Sequence, residues 1–403
     1  MHFFVGIYYC ILCVAHLCAL PLIFILSSKQ KYKESLKRRF VSPIPLPNHT
    51  LKFRWIHACS FGEVKSLQSI ISTLQTQLKE DEAILLTTTT QTGFNLANTL
   101  YPTCTLAYLP FETLIPFWLR KKQILSLTLV EAELWLMPLV CVKTMHAKTT
   151  LLNARISTRS FPRYLRFRFF YSRLFGYIDK IFCQSQEDKA RLESLGAKNV
   201  QVFGNLKLAE IPQVTKTYPH PKKPLWVIAS THSKNGVSEE ALILQEILKA
   251  YPTNYDTQIF LFAPRHPERF LEVESLLNAI LAQNNIPPIT KTSTNGIPSA
   301  LQSPFILLDA LGELNNLYSI AYGVILGGSF LPDIGGHNPI EPAFFHTKLI
   351  SGPYIFNQNA LFACVENYAL SDIENLAQTL QNPPQNSLIT RHLNITQLIK
   401  ESQ

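Results

Sequence analysis

Three carboxylates stand where short apolar runs end. Glu63 lies in HACSFGEV, just after the run Phe53–Ala58. Glu131 and Glu133 follow the run Ile124–Val130, within VEAELW. A carboxylate facing a bound substrate can take a proton from an attacking hydroxyl. In the first turn of a helix it can instead complement the helix dipole. Both readings stand for Glu63, and the dipole would keep it ionised and weakly basic. The E-x-E pair has no D-x-D or His/Cys cluster beside it, so no metal site is expected. Lys207, in GNLK, can stabilise a negative leaving group or be a solvated surface amine.

A second group of residues suits phosphate. PRHPERF follows the run Gln258–Ala263 and puts Arg265, His266 and Arg269 at its end. GGSFLPDIGGHNPIEPA, Gly327–Ala343, follows Gly323–Leu326. Its glycine pairs and Ser329 suit a loop whose N–H groups approach an anion closely. A helix starting at Asn338-Pro339 would place Glu341 in its first turn, within reach of ribose hydroxyls. A structural turn with a capped helix is the other reading. TTTTQTGF, Thr87–Phe94, is either a phosphate or sugar turn or a capped helix start.

The elements that must carry these residues read as repeated βα units. The apolar runs, including Ala83–Thr87, Lys180–Gln184 and Val200–Phe203, are near-continuous, as buried parallel strands are. Helical stretches lie between them, such as Gln184–Leu195 before Gly196. Residues 211–224 hold four prolines and read as a stiff linker. A second series follows: Leu225–Ala229, Gln258–Ala263, Phe305–Leu308, Gly323–Leu326 and Lys348–Ser351. The expected divisions are an anchor at 1–27, an α/β domain at 28–210, the linker at 211–224 and a second α/β domain at 225–403. A ligand cleft between the two domains is expected, and Asn284–Ser303 reads as a surface loop.

The chain has 403 residues, 47% hydrophobic, with mean hydropathy near zero. That excludes a disordered chain and a polytopic membrane protein. The net charge of +9 is local. Residues 29–39 carry six basic residues and one acid, and 155–173 carry six arginines and no acid. Of eight cysteines, Cys10, Cys13 and Cys18 lie in the first apolar stretch and five are scattered singly, which suggests a reduced, cytosolic body. Phe3–Leu26 has no charged residue and is long enough to span a bilayer, and the basic cluster after it places the body in the cytoplasm. The expected topology is a single-pass N-terminal anchor; an apolar hairpin lying in the interface has the same sidedness. Arg155–Tyr177 interleaves arginine with aromatics and suits anionic lipid better than RNA.

Ten blocks, in order, carry a resemblance: SFGE, TTTTQTG, YLPFE, VEAELW, NARISTRS, GNLK, PRHPERF, LGEL, GGSFLPDIGGHNPIEP and ISGPYIFN. Together they resemble the 3-deoxy-D-manno-octulosonic acid (Kdo) transferases of lipopolysaccharide synthesis. The resemblance implies an α/β fold of GT-B type, with two Rossmann-like domains and an N-terminal transmembrane helix. It implies inverting transfer of Kdo from CMP-Kdo to the lipid A disaccharide precursor at the inner membrane, without metal or other cofactor. Glu63 takes the role of general base, and Glu131 and Lys207 stabilise the transition state; Glu133 suits the acid's motif equally. Arg265, His266, Gly312, Glu313, Leu314, Asn338, Pro339, Ile340 and Glu341 match positions binding the donor, with Ser329 and the glycine pairs cradling its phosphate. The lipid acceptor accounts for the anchor and for a surface of Arg155, Arg159, Arg163 and Arg166 facing acceptor and anionic lipids. No nucleic-acid partner is implied. One block departs: the acidic stretch usual after S-T-H is displaced in STHSKNGVSEE, Ser230–Glu240. A C-terminal helix crossing back to the first domain is a further expectation of the fold.

Overall fold

A computed structural model describes residues 2–29, 32–40, 51–391 and 393–402. The chain divides into two compact units, Met1–Glu210 with Leu393–Gln403, and Ile211–His392. Each is built on a seven-stranded parallel sheet.

In the first unit the strands are β1 (Lys52–His57), β2 (Glu82–Thr88), β3 (Thr105–Tyr108), β4 (Gln123–Val130), β5 (Lys148–Ala154), β6 (Lys180–Cys183) and β7 (Val200–Val202). Their order is β3-β2-β1-β4-β5-β6-β7. The direction of winding reverses between β1 and β4, the place where open α/β sheets bind ligands. Both strands carry candidate site residues at their carboxyl ends. Burial on two faces explains the continuous apolar runs: Trp55, Leu85, Leu127 and Leu151 are enclosed in one core layer.

The second unit contains β8 (Leu225–Thr231), the hairpin β9 (Ser233–Lys234) and β10 (Val237–Ser238), β11 (Ile259–Pro264), β12 (Thr290–Lys291), β13 (Phe305–Leu307), β14 (Gly323–Leu326), β15 (Lys348–Ser351), β16 (Val365–Glu366), β17 (Tyr368–Leu370) and β18 (Leu388–Ile389). The main sheet runs β12-β13-β11-β8-β14-β15-β17. Its winding reverses between β8 and β14, whose ends carry the S-T-H block and the glycine-rich loop.

Helix α1 (His2–Ser27) is long and apolar enough to cross a membrane, by length and composition. Helix α2 (Lys33–Phe40) carries part of the basic cluster. Residues 30, 31 and 41–50 lie outside the described set; the expected boundary between residues 27 and 28 falls where α1 ends, at Ser27.

Two expectations are corrected. Residues 284–303 are not a simple surface loop. Ile286, Ile289, Ile297, Ala300 and Leu301 are buried, and β12 joins the sheet edge. The second domain does not run to residue 403 either. The helix Ile395–Ser402 belongs to the first unit, with Leu398 and Ile399 buried in the cluster that holds Ile56, Ile70 and Leu74. Apolar residues at i, i+3 and i+4 (Ile395, Leu398, Ile399) give that helix one sticky face. Leu398→Ala should therefore destabilise the first unit by about 2–5 kcal/mol. Denaturant unfolding followed by fluorescence would check this; an unchanged midpoint for the first unit would contradict the packing.

Candidate functional site

The short helix α3 (Phe61–Ser66) begins on Ser60, whose extended backbone and hydroxyl cap it. Ser60 Oγ donates to Glu63 Oε1 at 2.7 Å, and Cys59 N–H donates to Glu63 Oε2 at 2.8 Å. This reciprocal capping fixes the carboxylate just beyond β1. Only 8% of Glu63 is exposed. Burial pushes its pKa up to about 7, aided by the charges of Glu131 and Glu133 and opposed by the Ser60 and Cys59 bonds. Glu63 is thus a buried carboxylate with a raised pKa, where helix position alone would lower it.

Glu131 sits at the end of β4 with a left-handed backbone, φ 58°. Its N–H still donates to Leu152 O at 2.8 Å, continuing the ladder to β5, while the left-handed backbone takes its side chain out of the strand alternation. Burial raises this carboxylate, while Lys207, Arg155 and Asn153 pull it down. Glu133 behaves differently. Trp135 Nε1–H donates to it at 2.6 Å, and His57 Nε2 lies 3.7 Å away. Burial alone would raise Glu133, but His57 and Trp135 hold it below the ordinary carboxylate range. The two acids of VEAELW are therefore in different surroundings: Glu131 with the cations, Glu133 with the indole N–H of Trp135 and the ring of His57.

The backbone at Lys207 is fixed by an amide network. Asn205 Oδ1 accepts from Lys207 N–H at 3.0 Å, and Asn205 Nδ2–H donates to Gln184 Oε1 at 2.9 Å. Asn153 Oδ1 accepts from Leu206 N–H at 3.1 Å, and its own amide faces Glu131 at 3.4 Å. Asn153, Gln184 and Asn205 were not singled out from sequence. The first and last lie inside NARISTRS and GNLK, where a buried amide has no periodic signature. Thr90 settles the TTTTQTG block as a helix start: its hydroxyl accepts from Gly93 N–H and donates to Cys59 O. Arg155 interacts with Glu131 and lies near the acids, whereas Arg159, Arg163 and Arg166 are exposed on a neighbouring segment.

In the second unit the glycine-rich loop is organised around an internal anion. N–H groups of Gly328, Ser329 and Phe330 donate to the carboxylate of Glu239 at 2.7–3.0 Å, and His232 N–H donates at 2.8 Å. Ser329 Oγ donates to Leu326 O and accepts from Gly352 N–H. The expected phosphate cradle of Ser329 and the first glycine pair is therefore already filled from within. The displaced acidic pair explains how. Residues 233–238 of STHSKNGVSEE close as a hairpin on Asn235 and Gly236, both at positive φ, so Glu239 and Glu240 return to the strand end. Glu240 receives the forked guanidinium of Arg269 at 2.8 and 3.0 Å, plus the hydroxyls of Thr231 and Ser238.

The remaining expected donor contacts divide. Arg265 and His266 are exposed beyond β11. His266 packs edge-on to His232, which stacks on His337 with Nε2 atoms 2.8 Å apart. Gly328 seats this pair, since a Cβ there would lie 2.6 Å from His337. Asn338 caps Ile340 N–H at 3.0 Å; Glu341 is half-buried, and Pro339 and Ile340 are buried. Gly312 (φ 84°) and Leu314 flank Glu313. The Glu313 carboxylate accepts from Lys216, Tyr218 and Asn316 and so ties down residues 215–218. Among the described residues, no group of three or more His, Cys, Asp or Glu is placed to hold a metal.

A family model described as 3-deoxy-D-manno-octulosonic-acid transferase matches residues 34–210. The 3-deoxy-D-manno-octulosonic acid transferase of Rickettsia typhi is 31% identical over 85% of this chain and 72% of its own. The chain belongs to the Kdo transferase family. A bifunctional glycosyltransferase/methyltransferase of Fusobacterium nucleatum is 30% identical over 76% of this chain, which spans 48% of that protein. The UDP-GlcNAc 2-epimerase of Methanocaldococcus jannaschii matches with a TM-score of 0.56 over 87% of this chain and 99% of its own, at 12% identity. That likeness concerns the fold: two parallel-sheet α/β domains of the GT-B kind.

For this Kdo transferase family member, the buried Arg269–Glu240 pair is a stability test of the second unit. Glu240→Ala leaves a guanidinium that is only 10% exposed without its fork. The expected loss is about 3–5 kcal/mol, read as a lower denaturation midpoint of that unit. A shift under about 1 kcal/mol, the scale of an exposed pair, would mean that the pair is solvent-screened.

Proposed function

We propose that the protein transfers Kdo from CMP-Kdo to a hydroxyl of the lipid A disaccharide precursor, with inversion and without a metal ion. The reading rests on family membership. The observation that carries its mechanism is the raised, hydrogen-bonded Glu63 carboxylate grouped with Glu131 and Lys207 at the β1/β4 switch point. Glu63 takes the proton of the acceptor hydroxyl as that oxygen bonds to the anomeric carbon. The bond from that carbon to the CMP phosphate breaks, and its electron pair leaves with CMP. Lys207, its backbone fixed by Asn205, offers positive charge as negative charge develops, and Glu131 complements the cationic character of the sugar. Glu131 suits this role better than Glu133, whose carboxylate is held by Trp135 and His57.

In the second unit Arg265, His266, Asn338 and Glu341 are the donor-binding candidates. The N–H groups of residues 328–330 are taken by Glu239, so positive side chains must supply much of the phosphate's stabilisation. The body acts at the cytoplasmic face of the inner membrane, held there by α1. Anionic lipid and the acceptor meet the exposed Arg159, Arg163 and Arg166, with Arg155 nearer the acids.

Glu63→Ala should lower turnover by about 10²–10⁴-fold while the protein stays folded. A variant keeping more than about a tenth of the wild-type rate would remove Glu63 as the base. The base must be ionised, so kcat/KM should fall as pH drops through about 7, the region to which Glu63 is raised. A profile flat between pH 5 and 8 would contradict this assignment. Product mass spectrometry with EDTA added after the donor has formed should still show acceptor carrying Kdo. Activity lost to EDTA and restored by Mg²⁺ would refute metal independence.

A further inference from the structure

We infer that α1 does not cross the bilayer but lies along one leaflet as an apolar keel of the first unit, with its N-terminus on the side of the body. The inference rests on the membrane reading above and is independent of the transfer chemistry.

The two flanks of α1 differ along its length. Ile7, Ile11, Val14, Leu17, Leu22 and Ile25 are exposed. On the other flank Phe4, Val5, Tyr8, Tyr9 and Leu12 pack against the first unit's core. The covered positions recur at helical spacing, as on a helix laid against a surface. A helix surrounded by lipid would have no such flank.

The covered flank also makes specific polar bonds. Tyr8 OH donates to Glu112 Oε2 at 2.6 Å, and Glu112 Oε1 accepts from Met137 N–H at 2.9 Å. Tyr9 OH donates to Thr113 O at 2.7 Å, and His16 Nδ1 lies 2.5 Å from Thr113 Oγ1. The Phe4 ring meets those of Phe169 and Phe170, with Arg173 above it. Helix α2 turns back, and Phe40 stacks on His16 with centroids 5.5 Å apart.

These contacts are at the wrong end for a crossing helix. With the basic cluster in the cytoplasm, Ser27 would mark the cytoplasmic end of α1. Phe4 would then lie about 35 Å away, and His16 about 17 Å, at 1.5 Å per residue. The hydrocarbon core is about 30 Å thick. Crossing would thus carry Glu112 and Arg173 into the far half of the bilayer, and the basic helix α2 to its middle. An uncompensated charge there costs at least about 2.5–3.5 kcal/mol. The stretch Leu17–Ser27, beyond the covered part, is about 17 Å long and too short to cross alone. Laid in the interface, the same contacts cost nothing of this kind.

The surface beside α1 fits that placement. Phe169, next to Phe4, is exposed together with Leu165 and Phe167. Exposed Arg159, Arg163, Arg166 and Arg168 accompany this apolar strip. An apolar strip rimmed by arginine matches one leaflet with anionic headgroups. The occupant is therefore the bilayer surface and not a second copy of the chain.

The test uses the full chain with an N-terminal epitope tag in inner-membrane vesicles. Protease should remove the tag from inverted vesicles and spare it in intact spheroplasts. The reverse pattern overturns the inference. A second readout places a small fluorescent amino acid at exposed Ile7 or Ile25, in liposomes containing lipids brominated at defined depths. In-plane α1 predicts the same shallow depth for both labels. A difference near 27 Å, the length of those 18 residues as a helix, would establish crossing. Labels unquenched at any depth, in a protein that is dimeric, would assign the face to a second copy and also overturn it. Both readouts concern position, so a protein without Kdo transfer would refute the proposed reaction and leave this inference standing.

Discussion

Three carboxylates share the carboxyl end of the first sheet, and their mutual repulsion sets what the residues around them must do. Glu133 accepts the indole N–H of Trp135, has the His57 ring 3.7 Å away, and stays below the ordinary range. Glu63 receives one backbone N–H and one hydroxyl, which do not offset its burial and its two acidic neighbours. Glu131 lies between these cases, raised by burial and restrained by Lys207 and Arg155. Environments that push neighbouring titratable groups apart allow one to hold a charge and another to take a proton near neutrality. The backbone serves this sorting: a left-handed residue at Glu131 and another at Asn153 re-aim side chains that a regular strand would bury or point outward.

The second unit meets the same constraint with a different outcome. Its glycine-rich loop has the N–H groups of an anion site, yet the anion is Glu239, supplied by the chain itself. Those bonds fix the loop backbone, and Gly328 seats the stacked pair His232 and His337. The hairpin on Asn235-Gly236 supports this arrangement, because a two-residue turn returns the chain to the same strand end. Lys234, at the hairpin, reaches Asp333 at 2.7 Å and braces the loop from outside.

Much of this was legible in the residues. Continuous apolar runs ending in Glu63, Glu131, the S-T-H block and Gly327 marked strands and their carboxyl ends, since burial on both faces leaves a plain signal. The strands Thr105–Tyr108 and Lys148–Ala154 were missed because threonines dilute them; Thr149 and Thr150 are nonetheless buried, with Thr149 Oγ1 donating to Tyr177 O. What the residues could not carry was the choice between ligand and internal partner. Glu313 and Ser329 look like ligand contacts by type and position, but Lys216, Tyr218 and Gly352, distant in sequence, claim them. The amides that fix the backbone at Lys207 were hidden for the same reason.

Charge and chemistry divide consistently between the units. The two basic segments contribute +5 and +6, more than the whole chain's +9, so the remaining residues sum to −2. Both segments, and α1, belong to the first unit. On the proposed reading that unit also carries the base for the acceptor hydroxyl. A lipid acceptor stays at the membrane, so the residue that deprotonates it must belong to the part of the chain that holds the membrane surface. A soluble nucleotide sugar imposes no such demand, and the second unit has neither a long apolar helix nor an arginine-rich segment among its described residues. An in-plane α1 strengthens this division. Its bonds to Glu112 and Thr113 couple the apolar keel to the same α/β body that fixes Glu63 and Glu131, so the depth of the acids relative to the headgroups is set by hydrogen bonds and ring packing instead of by a flexible tether.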